Sequence, residues 1–234
     1  MSPPPIPQTG QPVGNAVDPQ PAERPGAVTL QGRYGRLENL KAEHAASLWQ
    51  AVKGHDRIYT YMFYGPFRDE PTFSAWLAAR AADEDPRFYA VLDNTGQALG
   101  IMALMAIREA HRVVEVGNIL YAPALQRTPL ATEAQYLLAR YAFETLGYRR
   151  YEWKCDALNA AARRAADRYG FTFEGIFRQH MIVKGRNRDT AWFAMLDSEW
   201  PARKVNFERW LSPANFGADG EQIESLSALN GRIA

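Results

Sequence analysis

Two hairpin signals on either side of one strand–helix–strand segment constrain the fold more than any other feature of this sequence. In the first, apolar runs at Phe88–Leu92 and Ala98–Ile107 flank Asp93-Asn94-Thr95-Gly96, which favours a tight turn. The second hairpin consists of Phe173–Val183, the polar link 184–188 and Thr190–Leu196. Hairpins give antiparallel strand pairs, whereas a strand–helix–strand unit gives a parallel pair. The sequence therefore predicts a mixed α/β fold with a mostly antiparallel sheet flanked by helices.

The central unit has three parts. Val113–Tyr121 is strand-like, Pro129–Leu146 has helical spacing and stops before Gly147, and Arg150–Cys155 is again strand-like. The remaining predicted elements are a strand at Tyr34–Glu38, and helices at Leu40–Val52, from Pro71 onward, at Asn159–Tyr169 and at Ser198–Leu211.

Length and proline content suggest the domain organisation. The chain has 234 residues, enough for one large domain, and residues 1–26 hold eight of its fifteen prolines. A segment of that composition lacks backbone donors and apolar periodicity, so we expect a disordered, partly polyproline tail at 1–26. Residues 27–211 are predicted to form a single domain. Residues 212–234 are predicted to be a C-terminal extension with a short helix at Ser225–Leu229.

Charge and residue counts exclude several classes of protein. A net charge of +1 gives no reason to expect nucleic acid or an anionic membrane as partner. The single cysteine, Cys155, rules out an internal disulfide framework, and the four histidines show no metal-ligand spacing, so we expect no metal. No apolar run approaches the roughly 18 residues of a membrane span, and no signal peptide is recognisable. A cytoplasmic protein is the expectation.

The junction that follows Val113–Tyr121 is the strongest candidate for a functional site in this sequence. A strand runs into a short loop, and a helix begins near Pro129. Because the first amides of a helix lack intrahelical acceptors and carry positive partial charge, this junction predicts an anion site.

The segments around this junction resemble the GNAT acyltransferases, and within them the RimJ/RimL-like subgroup. The resemblance covers roughly residues 28–200. It is carried by Glu115-Val116-Gly117, the Gln126–Ala134 segment, Asn159, Gly170-Phe171, and Arg178 with Asp189-Thr190. It implies a GNAT-type sheet with a central splay, and direct transfer of acetyl from acetyl-CoA to a primary amine of a small molecule or a peptide N-terminus.

The resemblance also implies which residues bind acetyl-CoA. Strand residues would offer backbone groups to the pantetheine arm, the loop and helix start would hold the pyrophosphate, and Asn159 would bind the arm while also capping its helix. Arg163 and Arg164 are candidates for the 3′-phosphate, unless they only solvate a helix face. The full set is Ile119, Leu120, Tyr121, Gln126, Arg127, Thr128, Pro129, Leu130, Ala131, Thr132, Asn159, Arg163 and Arg164.

The loop departs from the family pattern Q/R-x-x-G-x-G/A at one glycine. Gln126 and Ala131 fit, but Pro129 replaces the central glycine, and Arg127 stands where glycine is often found. Proline has no N–H, so one phosphate donor is missing. Arg127 could compensate, because guanidinium binds phosphate bidentately.

Three residues are candidates for proton transfer. Glu115, on the strand leading into the loop, is the candidate general base; the alternative is a solvent-side carboxylate paired with an arginine. Many GNAT enzymes place a tyrosine seven residues after the asparagine, but that position is Ala166 here. Tyr169 and Tyr121 are therefore the candidate acids, although Tyr169 could instead pack in the core.

The acceptor pocket is predicted to include the aromatic segment His55–Pro66, whose rings would either attract an ammonium group or only cover the core. Two alternatives to the enzyme stay open: a non-catalytic acyl-CoA-binding sensor, and an interaction module that uses the proline-rich tail. Relatives of this kind are often dimers, so we expect a possible homodimer, with Trp200, Phe207 and Trp210 either at its interface or packed on their own sheet.

Overall fold

The computed structural model describes residues 11–231, and the first ten residues of the predicted tail lie outside this range. One eight-stranded sheet runs through the described part, with strand order β1-β2-β3-β4-β5-β6-β8-β7. The strands are β1 (Thr29–Gln31), β2 (Gly35–Asn39), β3 (Arg87–Asp93), β4 (Ala98–Arg108), β5 (Val113–Tyr121), β6 (Arg150–Asp156), β7 (Thr172–Val183) and β8 (Arg186–Leu196). The α-helices are α1 (Ala45–Val52), α2 (Glu70–Ala81), α3 (Pro129–Arg140), α4 (Ala160–Tyr169), α5 (Trp200–Leu211) and α6 (Leu226–Asn230).

The predicted mixed sheet is confirmed. All neighbouring strands pair antiparallel except β5 and β6, which pair in parallel because α3 connects them. The β3–β4 turn forms where the sequence predicted it, with Gly96 at φ +87° and the Asp93 carboxylate accepting from the Thr95 amide at 2.8 Å.

Capping residues define the ends of helices α2 and α4. Asp69 caps α2 by accepting from the Thr72 amide at 2.8 Å, and Asn159 caps α4 by accepting from the Ala162 amide at 3.1 Å. Gly170 ends α4 in the left-handed conformation at φ +89°, where the Arg203 side chain leaves no room for a Cβ.

Several predicted boundaries were wrong for identifiable reasons. The first helix begins at Ala45 rather than Leu40, because β2 runs to Asn39 and Lys41 is extended. The long helix stops at Arg140 and continues as one π-helical turn to Thr145. The second hairpin turns over two residues only, so β8 starts at Arg186, and strand β1 was not predicted at all.

Part of the predicted tail is packed rather than disordered. The Ala22 amide donates to the Glu109 carbonyl at 3.0 Å, and Arg24 pairs with the Glu109 carboxylate at 2.6 Å. The C-terminal segment is packed as well, since Leu226 and Leu229 are buried in the larger core cluster.

The two faces of the sheet are covered differently. Helices α3, α4 and α5 pack on one face in the larger cluster, whereas α1 and α2 cover β3, β4 and the end of β5 on the other. Trp200, Phe207 and Trp210 of α5 are all buried in the larger cluster. Trp200 and Phe207 pack against Tyr136 of α3. The α5 aromatics therefore lie in the chain's own core, the second of the two alternatives, and do not form an exposed dimer interface.

Candidate active site

Strands β5 and β6 separate at the centre of the sheet. They pair only from Val113 to Val116 on β5 and from Arg150 to Trp153 on β6, although both strands continue further. Asn118, at φ +51°, forms a bulge in the β4–β5 register between Gly117 and Leu120. Beyond Val116, the edge of β5 that faces β6 therefore has free backbone groups, and this edge includes the predicted residues Ile119, Leu120 and Tyr121.

Some backbone amides around the start of α3 are free. Thr128 caps α3: its amide donates to the Leu125 carbonyl at 3.3 Å, and its hydroxyl accepts from the Ala131 amide at 3.2 Å. Pro129 has no N–H, whereas the amides of Arg127, Leu130 and Thr132 have no acceptor within residues 11–231. These three amides are available to an anion, together with donors from side chains.

The side chains of the loop differ in their availability. Arg127 is exposed and sits at φ +63°, a left-handed conformation that explains why glycine is frequent at this position in the family. Gln126 donates from Nε2 to the Tyr121 carbonyl at 3.0 Å and so closes the end of β5. Asn159, besides capping α4, keeps its Nδ2 without a partner in the described chain.

A fourth arginine, which the sequence analysis missed, lies beside the start of α3. Arg168 donates to the Thr132 hydroxyl at 3.1 Å and lies over the Trp210 ring at 4.7 Å. It has no carboxylate partner within residues 11–231, and burial lowers its pKa. The only signal in the sequence was the excess of basic over acidic residues between positions 140 and 190.

Arg168 also lines a cavity of about 420 Å³ between α4, α5 and α6. The cavity contains three arginines and one aspartate, and its lining is Arg164, Asp167, Arg168, Gly170, Phe171, Arg203, Ser227, Asn230 and Gly231. The other candidate, Arg163, is not among them: it lies over the Phe173 ring at 5.6 Å and donates to the Ala157 carbonyl at 3.4 Å.

Glu115 lies on the other face, at the last rungs before β5 and β6 separate. It is 7% exposed, and its Oε2 accepts from Lys154 Nζ at 2.7 Å. Burial raises the pKa of Glu115, although Lys154 opposes this rise. The side chain is therefore neither on the solvent side nor paired with an arginine, the alternative that the sequence left open.

The neighbouring carboxylate, Glu152, behaves differently. Burial disfavours its charged form, but hydrogen bonds from Arg150 and Lys154 lower its pKa below the ordinary value. Arg108 also binds it, at 2.8 Å. Of the two facing carboxylates, Glu115 is thus the one that takes up a proton more readily.

The candidate acids lie together on the helix side of the sheet. The Tyr121 hydroxyl accepts from Gln135 Nε2 at 3.3 Å, and Tyr169 packs against Trp153 and Phe207. Burial raises the pKa of both phenols, well above 10 for Tyr121, so both stay protonated and can donate hydrogen bonds. Tyr169 combines this with the core packing that the sequence offered as its alternative.

Two other residues, Ala166 and Cys155, are buried and take no part in the proposed chemistry. Ala166 is fully buried in the core, so no phenol occupies its position. Cys155 is buried as well, and burial raises the pKa of its thiol to about 11. A protonated thiol is a poor nucleophile, which favours direct attack by an acceptor over an acyl-cysteine intermediate.

The predicted acceptor segment is held against the second hairpin. Lys184 Nζ donates to the carbonyls of Tyr59 and Tyr64 at 2.9 and 3.1 Å. Tyr59 is buried, so it covers the core, whereas Phe63 is exposed and stacks against the Arg188 guanidinium at 5.1 Å. The Phe63 ring therefore faces a cation that the chain itself supplies.

Trp192 is half-buried on the Glu115 face of the sheet. Lys154 Nζ lies 4.0 Å from the centre of its ring.

Within residues 11–231, no helix is long and apolar enough to cross a membrane, and no three metal-binding side chains come together.

Comparison with known proteins agrees with this geometry. A family profile described as acetyltransferase (GNAT) domain matches residues 36–172. The crystal structure of a GCN5-related N-acetyltransferase from Brucella melitensis is 46% identical, with a TM-score of 0.89, and the match covers 91% of this chain and 98% of that one.

Two further relatives are more distant. The Bacillus subtilis protein named "Putative ribosomal N-acetyltransferase YdaF" is 26% identical, over 72% of this chain and 92% of its own length. A spermidine N-acetyltransferase from Vibrio cholerae, solved in complex with CoA and spermine, shares the fold at 21% identity and a TM-score of 0.58, covering 70% of this chain and 96% of that one. The chain belongs to the GNAT acetyltransferase family, in its RimJ/RimL-like subgroup, and is an acyltransferase acting on amino groups.

Proposed function

We propose that this protein transfers the acetyl group of acetyl-CoA to a primary amine of a small molecule or a peptide N-terminus. The observation that carries the proposal is the opening between β5 and β6. The start of α3, with the free Leu130 amide and Arg168, lies on one side of it, and the buried Glu115 carboxylate lies on the other. We also propose a cytoplasmic location.

The residues at the start of α3 fit a phosphorylated ligand. Arg168 is a largely desolvated cation without a carboxylate partner in the described chain, and the Leu130 amide and Arg127 lie at the same helix start. These groups would hold the pyrophosphate, and the cavity with Arg164 and Arg203 would take the 3′-phosphate. The Vibrio cholerae relative solved with CoA supports this assignment.

Acetyl-CoA supplies an activated thioester when it is bound. The free edge of β5 and Asn159 Nδ2 orient the pantetheine arm beside the opening. Glu115 accepts the proton of the incoming ammonium group, directly or through a water molecule, because its raised pKa makes it a better base than an exposed carboxylate. The hydroxyls of Tyr121 and Tyr169 are the nearest buried donors for the departing thiolate.

Two measurements test the proposal. Acetyl-CoA should raise the melting temperature, since a ligand at a hundredfold excess over its Kd adds about 2.7 kcal/mol. Thiol release should then depend on an added amine, and Glu115→Gln should lower kcat about 10²- to 10⁴-fold. The exposed Glu43, paired with Lys41, provides the control Glu43→Gln, which should leave kcat unchanged.

A non-catalytic acyl-CoA sensor is the second candidate. It is favoured by the fully buried Ala166, which excludes the usual phenol, and by Pro129, which removes an amide donor. A melting shift with acetyl-CoA but no thiol release across a broad amine panel would support the sensor and contradict the enzyme.

A homodimer also stays a proposal, with a contact surface other than the buried α5 aromatics. The edge strand β7 carries exposed apolar side chains, among them Phe177 at 52% and Ile182 at 84% exposure, and a second copy is the partner we propose for it. Light scattering of the purified chain and of Ile182→Lys tests this: a monomer in both cases would reject it.

A further inference from the structure

Arg188 is a buried cation that the described chain leaves without an anionic partner. It is only 7% exposed, its Nε donates to the Thr190 hydroxyl at 3.2 Å, and its guanidinium stacks on Phe63. Within residues 11–231 it makes no ion pair, and its Nη1 and Nη2 donate to no protein acceptor. Buried arginines are rare unless paired, which makes Arg188 a candidate for binding an anionic ligand.

The position of Arg188 links it to the opening in the sheet. Strand β8 pairs with β6 only as far as Thr190 opposite Asp156, so Arg188 lies beyond the end of β6. Its other neighbour is Met181 of β7, and the hairpin that carries it is fastened by Lys184 to the Tyr59 carbonyl. Two fixed elements therefore hold the guanidinium at the mouth of the opening.

Glu115 and Arg188 lie close enough for their charges to interact. Burial is the main cause of the raised pKa of Glu115, and the charge of Arg188 is among the smaller effects that oppose it. The region around the acceptor thus contains a carboxylate that takes up protons and a guanidinium that lacks an anion. Lys154 adds a second cation beside Glu115.

We propose that Arg188 binds a carboxylate of the acceptor, which makes the acceptor an amino acid or another small amine that carries a carboxylate. This inference rests on the proposed function and narrows its substrate class. The guanidinium fork matches a carboxylate through two parallel hydrogen bonds. A polyamine, which brings only positive charge, would meet Lys154 and Arg188 with like charge.

These groups account for each bond and proton in the proposed acetyl transfer. The neutral amine nitrogen forms a bond to the acetyl carbonyl carbon, and the C–S bond breaks with its electron pair on sulfur. Glu115 takes the first proton, the one that leaves the ammonium group, and the second proton, lost from nitrogen as the amide forms, passes through water to the departing thiolate. Arg188 acts as a positioning residue here, because it binds the acceptor away from the reacting atoms.

Matched acceptors test the proposal. Thiol release is measured with acetyl-CoA and a panel of L-amino acids, each beside its carboxamide, and with spermidine. The wild type should prefer the acid to the amide by at least about tenfold in kcat/KM, as expected for a hydrogen bond to a charged group. Arg188→Met should lower kcat/KM for the acid alone and abolish the preference, and Arg188→Lys should restore part of it.

Two controls separate this role from a structural one. Arg186→Met removes an exposed cation from the same strand and should change neither acceptor. In the CoA-loaded wild type, the acid but not the amide should raise the melting temperature, a readout that needs neither turnover nor a folded Arg188→Met variant.

Three results would overturn the inference: equal rates with acid and amide in the wild type, spermidine as the best acceptor, or an equal loss for both acceptors in Arg188→Met. The proposed function fails separately, through an absence of thiol release with every amine, and the inference would fail with it.

Discussion

Lys154 Nζ and the Glu115 carboxylate form a 2.7 Å ion pair across the two parallel strands, at the point where those strands part. Lys154 also binds Glu152 at 2.9 Å, so one ammonium group bridges two buried carboxylates. The carboxylate with additional arginine partners has a lowered pKa, whereas Glu115 has a raised one. One short charged cluster thus produces a structural acid and a candidate base side by side.

The raised pKa of Glu115 predicts how stability depends on pH. A group whose pKa is higher in the folded state contributes stability at low pH and loses it as pH rises through the folded-state pKa. The melting temperature of the wild type relative to Glu115→Gln should therefore fall as pH increases from 4 to 8. Thermal unfolding across this range checks the sign, and a difference that grows with pH would contradict it.

The same pKa predicts the pH profile of acetyl transfer. If Glu115 is the base, kcat/KM should rise with pH through its folded-state pKa, which lies above 4.5, and Glu115→Gln should remove this rise along with most of the rate. Steady-state thiol release, in buffers of constant ionic strength, measures the profile. An identical profile in Glu115→Gln would assign the titration to another group.

Removing the ammonium group of Lys154 should lower the free energy of unfolding substantially. Lys154→Met leaves Glu115 without a partner, and breaking a buried ion pair in this way costs about 3–5 kcal/mol. Urea unfolding of the variant measures the loss. The exposed pair of Lys41 and Glu43 provides the matched control, since Lys41→Met should cost less than about 1 kcal/mol. Equal losses in the two variants would contradict the prediction.

The sequence predicted those parts of the fold that depend on local patterns. Strand β5 begins and ends at the predicted residues, Val113 and Tyr121, because the segment is rich in β-branched and apolar residues. Asn159 and Gly170 marked the ends of α4 because capping and left-handed conformations have specific residue preferences. The GNAT fold followed from these local patterns together with the family resemblance, whereas the anion site stays a prediction.

The unpredicted parts of the site depend on pairing between distant segments. The partner of Glu115 is a lysine 39 positions away, and Arg168 reaches Thr132 across 36 positions. The binding role proposed for Arg188 became apparent only from the structure, in which its guanidinium lies over the Phe63 ring. Single-sequence patterns carry no information about such contacts, and the distribution of charges along the chain does not show which arginine lacks a carboxylate.

Two adjacent arginines are expected to differ in cofactor binding. Arg164 lines the three-arginine cavity, whereas Arg163 points towards Phe173. Arg164→Ala should therefore weaken binding of CoA by about tenfold or more, as for a lost hydrogen bond to a charged group, and leave dephospho-CoA unaffected. Arg163→Ala is the matched control and should affect neither ligand. Calorimetric titration measures both, and a loss in Arg163→Ala alone would move the 3′-phosphate to the other side of α4.

Pro129 gives the most direct test of the altered loop. Replacing it by alanine restores an N–H at the first position of α3 without the flexibility of glycine, beside the Leu130 amide that is already free. An added donor to a charged phosphate should tighten acetyl-CoA binding, by up to about 1.5–3 kcal/mol. Pro201→Ala, at the corresponding end of α5, controls for the general loss of a helix-start proline and should leave the Kd unchanged. A Kd that stays the same in Pro129→Ala would mean that the pyrophosphate does not contact the first turn of α3, and that Arg127 and Arg168 hold it away from the helix.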